Sequence, residues 1–208
     1  NGAETDGAMS SELQLVELDG SEAQRWDALI AKYPGCSVFH QRAWLEYLAS
    51  SRGVAVRHWA IRSGAQTLGY FCGGTLRRGP FRILGSPLRG WSTNFMGPVM
   101  NGAVDPAEFL AALDLLARAE GLAMIELEHR AFSEDLLERA GYESETSWTY
   151  RVALTPGDPE AMLKRMEKSR RYGVRKAIKL GLTAEDTSDA AIADEFYDQF
   201  TEVMRYKG

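Results

Sequence analysis

Two neighbouring runs of alternating side chains constrain this chain more than anything else in it. In residues 54–61, Val54, Val56, His58 and Ala60 alternate with Ala55, Arg57, Trp59 and Ile61. Residues 67–77 form a second run, separated from the first by a turn at 63–66 that contains Gly64. Arg78, Gly79 and Pro80 then make another turn before a short extended piece at 81–84. Period-two alternation predicts half-buried strands, and short glycine-bearing turns between such runs predict hairpins. An antiparallel meander must cover its apolar faces, so the flanking segments are read as that cover.

Leu13, Leu15 and Leu18 predict a short first strand. Ser21 is placed to cap a helix carrying Trp26, Leu29 and Ile30 that stops before Pro34. Residues 42–49 form a helix with Trp44, Leu45 and Leu48 on one side, and Trp44 and Trp59 are assigned to the core. Residues 85–98 are rich in Gly, Pro, Trp and Asn and predict a loop or a bulged strand. Asp105 and Pro106 open a helix whose stripe is Phe109, Leu110, Leu113, Leu116 and Ala117, ended by Gly121. A buried strand follows at 123–127, then a short helix capped by Ser133, carrying Leu136 and Leu137 and ended by Gly141. Trp148, Tyr150, Val152 and Leu154 alternate as a further strand. Beyond a turn at 155–159, a long helix is expected over 160–180, a short strand at 182–184 and a last helix at 190–206. The fold class is therefore α+β, with a mixed, mostly antiparallel sheet and helices on both faces. Residues 1–8 read as a leader, 9–155 as one domain and 156–208 as the start of a second.

Composition excludes several classes. With 208 residues, 45% of them apolar and a net charge of −5, the chain can bury a core and is not intrinsically disordered. The uncharged stretch 90–104 is too short for a bilayer span and is broken by Gly97, Pro98, Asn101 and Gly102. No basic-then-apolar N-terminal segment reads as a signal peptide. Cys36 and Cys72 match no metal or disulfide spacing, so a reduced cytoplasmic protein without a bound metal is expected. The acidic total hides a reversal: residues 164–179 hold eight cations and one acid, Glu167. Such a segment is either a solvated helix face or a site for an anionic partner.

Two surfaces are candidates for binding. The first is the 86–98 segment, where Arg89, Trp91, Thr93 and Asn94 together suit a sugar or phosphate. The same residues equally suit a buried irregular strand, with Trp91 in the core and Thr93 and Asn94 satisfying backbone groups. The second is the basic helix, with Lys168, Arg170, Arg171, Arg175 and Lys176. Arg170 falls within the apolar stripe; it either pairs with Glu167 or points into a cleft toward an anion. No nucleophilic triad is evident. Glu126, Glu128 and His129 lie near a strand end where a general base is conceivable, but His129 points away from the two acids and all three read as ordinary polar residues.

Three segments carry a family resemblance. They are SVFHQRAWL at 37–45, the 137–142 helix end followed by the 148–154 run, and KSRRYGVRKAIKLGL at 168–182. The order of elements resembles the GCN5-related N-acyltransferase (GNAT) fold, and the third segment resembles the basic helix that opens the second fold of the FemAB-like tandem branch. The resemblance implies one complete GNAT-like fold plus the first elements of another, so that the chain is an N-terminal fragment. It implies transfer of an acyl or aminoacyl group to an amine of a cell-envelope or polysaccharide precursor. Acyl-CoA and aminoacyl-tRNA are the implied donors of the longer protein. The Gly-rich donor turn of single-fold relatives is expected just before the Asp105 helix. Residues 96–104 offer Gly97 and Gly102 without a cation, and Pro98 has no N–H, so no donor is expected to bind this portion. Peptidoglycan users often carry a Lys soon after the matching Trp; here Leu48 and Ala49 stand in that region, which departs from the pattern.

The expected partners are an anionic small-molecule or lipid-linked substrate and tRNA. The last helix carries Phe196, Phe200 and Val203 on one face, which is expected to pack back on the first fold or pair two chains. Two other readings stand beside the transferase: a non-catalytic module binding an anionic glycolipid or nucleotide-sugar, and an RNA binder using the basic helix. The acidic total and the lack of a second basic patch or docking motif oppose the last.

Overall fold

The computed structural model describes residues 12–130 and 132–207. The expected leader lies outside them. The chain divides into two compact units, the first ending at Ser147 and the second beginning at Trp148.

The first unit is built on a mixed sheet. Its strands are β1 (Leu13–Glu17), β2 (Ala55–Ser63), β3 (Gln66–Arg78), β4 (Phe81–Ser86), β5 (Val99–Met100) and β6 (Leu122–Leu127), in the order β1-β2-β3-β4-β6 with β5 on β3. All pairings are antiparallel except β4 with β6, which run parallel from Arg82↔Leu122 to Ser86↔Leu127. Alternation within β2 and β3 sorts the core onto two faces. Ala60, Tyr70 and Cys72 join Trp26, Ile30, Leu45 and Leu48, which come from α2 (Trp26–Ile30) and α3 (Arg42–Arg52). Trp59, Ile61 and Phe71 join Phe109, Leu110 and Leu113 of α4 (Pro106–Glu120) on the other side. The α+β class, the mostly antiparallel sheet and the helices on both faces are thus present. Asp105 caps α4 by accepting from the Ala107 N–H, and Pro106 occupies its first turn.

Several local expectations are corrected. The first helix is two short pieces, α1 (Gly20–Gln24) and α2, and its cap is Asp19, not Ser21. Asp19 and Glu22 form a reciprocal capping box, and the Ser21 hydroxyl donates to Asp19 at 2.7 Å. The carboxylate wins because it reaches the Glu22 N–H at 2.9 Å. Strand β6 is not buried: Ala123 and Met124 are exposed, because among the described strands β6 pairs with β4 alone. After it come α5 (Glu134–Arg139), capped by Ser133 as expected, and the turn at Gly141.

In the second unit, residues 148–154 form no strand. Trp148 and Tyr150 are 90% and 96% exposed. Alternation supplies a face, but a strand exists only through ladder bonds to a partner, and these residues make none. The expected 160–180 helix is broken into α6 (Pro159–Arg165) and α7 (Lys168–Lys179) by extended backbone at Met166 and Glu167. The break leaves the Lys164 carbonyl free to accept from Arg171 Nη1 at 2.9 Å. No strand forms at 182–184. Instead the Leu182 N–H closes on the Ala177 carbonyl at 3.0 Å, a helix-ending wrap around Gly181, whose φ is +72°. The last helix, α8 (Ala191–Lys207), agrees with expectation.

Candidate functional site

Strands β4 and β5 are two pieces of one edge along β3. Between them residues 87–98 leave the sheet at the carboxyl ends of the parallel pair β4 and β6. Here the Ser86 carbonyl accepts N–H bonds from both Gly97 (3.2 Å) and Glu128 (3.1 Å). The Ser86 hydroxyl donates to the Cys72 carbonyl at 2.6 Å, replacing a ladder bond where the edge is interrupted. Glycine is required at the root: a Cβ on Gly85 would lie 2.2 Å from Leu88 Cγ.

The excursion divides its own candidate residues. Trp91 is only 5% exposed, and its ring leaves no room for a Cβ on Gly74. Thr93 is buried, accepts from Trp44 Nε1 at 3.1 Å and donates to the Trp91 carbonyl at 3.1 Å. These two hold the loop on the core and tie it to α3. Arg89 and Asn94 are exposed. The Arg89 N–H donates to Glu126 Oε1 at 2.8 Å, and its guanidinium meets Glu145 at 2.5 Å. A surface pair of that kind contributes little to stability, so Arg89 is exchangeable toward a ligand.

Under the loop lies a pair of histidines, His40 and His129, that no spacing in the sequence links. His40, almost fully buried, accepts at Nδ1 from the Ser37 N–H (3.2 Å). That leaves the proton on Nε2, which makes no well-formed hydrogen bond and faces the backbone of Met96 and Gly97. His129 packs its ring on Gly97, where a Cβ would stand 2.4 Å from Cδ2. Burial is the main force lowering both histidines, and it pushes His129 down to about 4. The neighbouring His40 and Arg130 lower His129 further, while the Pro98 carbonyl opposes the shift. Arg130 stacks over Phe95, 3.9 Å from the ring centroid. Ser37, three residues before His40, was the one local signal; nothing in the spacing links His129 or Arg130 to the loop.

The remaining candidates are in the second unit. Lys168, Arg170, Arg175 and Lys176 are exposed, and Arg171 is half-buried against the Lys164 carbonyl. Burial raises both cysteine thiols, so neither Cys36 nor Cys72 is an activated nucleophile. Among the described residues no cluster of His, Cys, Asp and Glu is arranged to hold a metal, and no helix is long and apolar enough to cross a membrane.

No family model matches the chain, and no curated protein matches it. Solved structures do. The chain is similar to AAC(6')-Iy, solved in complex with the bisubstrate analog CoA-S-monomethyl-acetylneamine. Identity is 12% and the TM-score 0.38, over 69% of this chain and 100% of that one. It is also similar to integron cassette protein HFX_CASS3 from the mobile metagenome of Cole Harbour Salt Marsh, at 16% identity and a TM-score of 0.37, over 69% and 91% of the two chains.

Proposed function

We propose that the protein belongs to an N-acyltransferase or aminoacyltransferase that moves an acyl group onto an amine of a cell-envelope or polysaccharide precursor. One observation carries the reading. The parallel strands β4 and β6 end together under a pre-formed excursion that displays Arg89 and Asn94. The carboxyl ends of parallel strands are where open mixed sheets receive ligands. A loop locked from below by Trp91, Thr93 and Trp44 presents those groups without an ordering cost. In the reaction the amine nitrogen bonds to the acyl carbon, the bond to the donor sulfur or ribose oxygen breaks, and the amine proton leaves. Arg89 binds the anionic part of a substrate.

Labelled acyl-CoA or aminoacyl-tRNA incubated with an amine-bearing envelope precursor and the full-length protein tests this. Label on the amine is expected; no transfer from either donor refutes the reading. Arg89→Ala is expected to raise KM about tenfold with kcat little changed, the mark of a binding residue.

A specific observation favours a second reading, a non-catalytic module for an anionic glycolipid or nucleotide-sugar. Four N–H groups before α4 are already spent: Gly97 on Ser86, Asn101 on Leu68, Ala103 on the Asn101 side chain and Val104 on the Asn101 carbonyl. That segment offers little to a donor pyrophosphate. Binding of nucleotide-sugars with no turnover would favour the module.

A further inference from the structure

We infer that α7 is a docking face for an anionic lipid surface. The inference concerns a partner and does not depend on the transfer reading. Lys168, Tyr172, Arg175 and Lys179 stand at i, i+4, i+7 and i+11, which places them on one stripe of the helix with Lys176 beside it. All five are exposed. Among the described residues none of the α7 cations makes an ion pair. Val174 and Ala177, on the other side, are half-buried.

The charges are also badly placed for the helix itself. Lys168, Arg170 and Arg171 occupy the first turn, which contains no acid, and the positive end of the helix dipole disfavours them there. The Glu167 side chain makes no capping bond. Three cations against the single N-cap acid leave an excess of positive charge at this end of the helix, which points to a partner outside the fold.

The apolar groups at the end of the stripe select the partner. Leu180 and Leu182, just past Lys179, are 66% and 67% exposed. The bonds from the Gly181 and Leu182 N–H groups to Ile178 and Ala177 hold this turn in a fixed shape. A nucleic acid would use the cations and Tyr172 but has no use for two aliphatic side chains. A bilayer carrying acidic headgroups uses both: phosphates meet the stripe and hydrocarbon receives the turn. The excess of cations in residues 164–179 of a protein with net charge −5 confines the attraction to this segment.

Co-sedimentation with lipid vesicles tests the inference. The protein is expected to pellet with vesicles containing phosphatidylglycerol, to remain in solution with phosphatidylcholine alone, and to be released by rising salt. Each cation near such a surface contributes about fivefold in partitioning, so Lys168→Glu with Arg175→Glu should lower it more than tenfold. Leu180→Ser with Leu182→Ser, which leaves the charge intact, should lower it by about tenfold or more. Soluble glycerol phosphate at matched phosphate should not compete. Equal pelleting with neutral vesicles, no pelleting at all, or indifference to the Leu180 and Leu182 changes would overturn the inference. Displacement by glycerol phosphate, or tighter binding to an RNA oligonucleotide, would do the same. Transfer activity is not read in this experiment, so its failure and that of the transferase reading are separable.

Discussion

Gly97 holds a φ of +25°, and the His129 ring occupies the space a side chain would need. Gly97→Ala therefore forces both a strained backbone and a displaced imidazole, and is expected to cost about 2 kcal/mol or more in urea unfolding. The histidines add a pH dependence whose sign follows from their environment. Their proton affinity falls on folding, so the unfolded chain binds more protons below its ordinary value of 6.5. Stability is full above that value and is lost as pH falls toward about 4, where folded His129 begins to charge. Arg130 disfavours the charged form of both rings, and His40 does the same to His129. The expected loss by pH 4 is about 3 kcal/mol, seen as a falling urea midpoint, and His129→Gln should flatten most of it. None of this was legible in the sequence. Gly97 and His129 are distant along the chain, and only the return of the excursion to the end of β6 brings them together.

At the scale of elements, legibility tracked whether an element carries its own reason to form. The β2, β3 and β4 meander was readable because alternation and turn residues are local, and α4 because its cap, proline, stripe and terminal glycine are all within its own span. The 148–154 segment had the alternation but not the partner, which no local pattern encodes. The α6 and α7 break was hidden because the apolar stripe runs through Met166 and no glycine or proline marks the position. The candidate loop was readable as an irregular segment, and of its two roles the structure gives Trp91 and Thr93 the packing one while leaving Arg89 and Asn94 at the surface. Trp91→Ala should accordingly cost about 3–5 kcal/mol in unfolding free energy, as for a large buried aromatic. Thr93→Val keeps the shape but removes the acceptor for Trp44 Nε1 and the donor to the Trp91 carbonyl, at an expected cost of about 1–2 kcal/mol. A Thr93→Val protein as stable as the parent would show that these bonds do not hold the loop.

For the whole molecule, burial is divided unequally between the two units. The buried aromatic and aliphatic side chains belong to the first, from Leu13 to Leu113. From residue 148 to 206 every described side chain is exposed or half-buried, including Phe196, Tyr197 and Phe200 on α8. Helices of this length hold little stability in water without a packed face, so protection against amide exchange should be as uneven as burial. Residues of β2, β3 and α4 are expected to exchange only through global unfolding, whereas α6, α7 and α8 should exchange orders of magnitude faster. Adding anionic vesicles should slow exchange in α7 selectively, because a docked stripe must open before its amides meet water. Uniform slow exchange over both units would mean that the second unit draws stability from burial beyond that described, and would remove the basis for treating α7 as a face awaiting a partner.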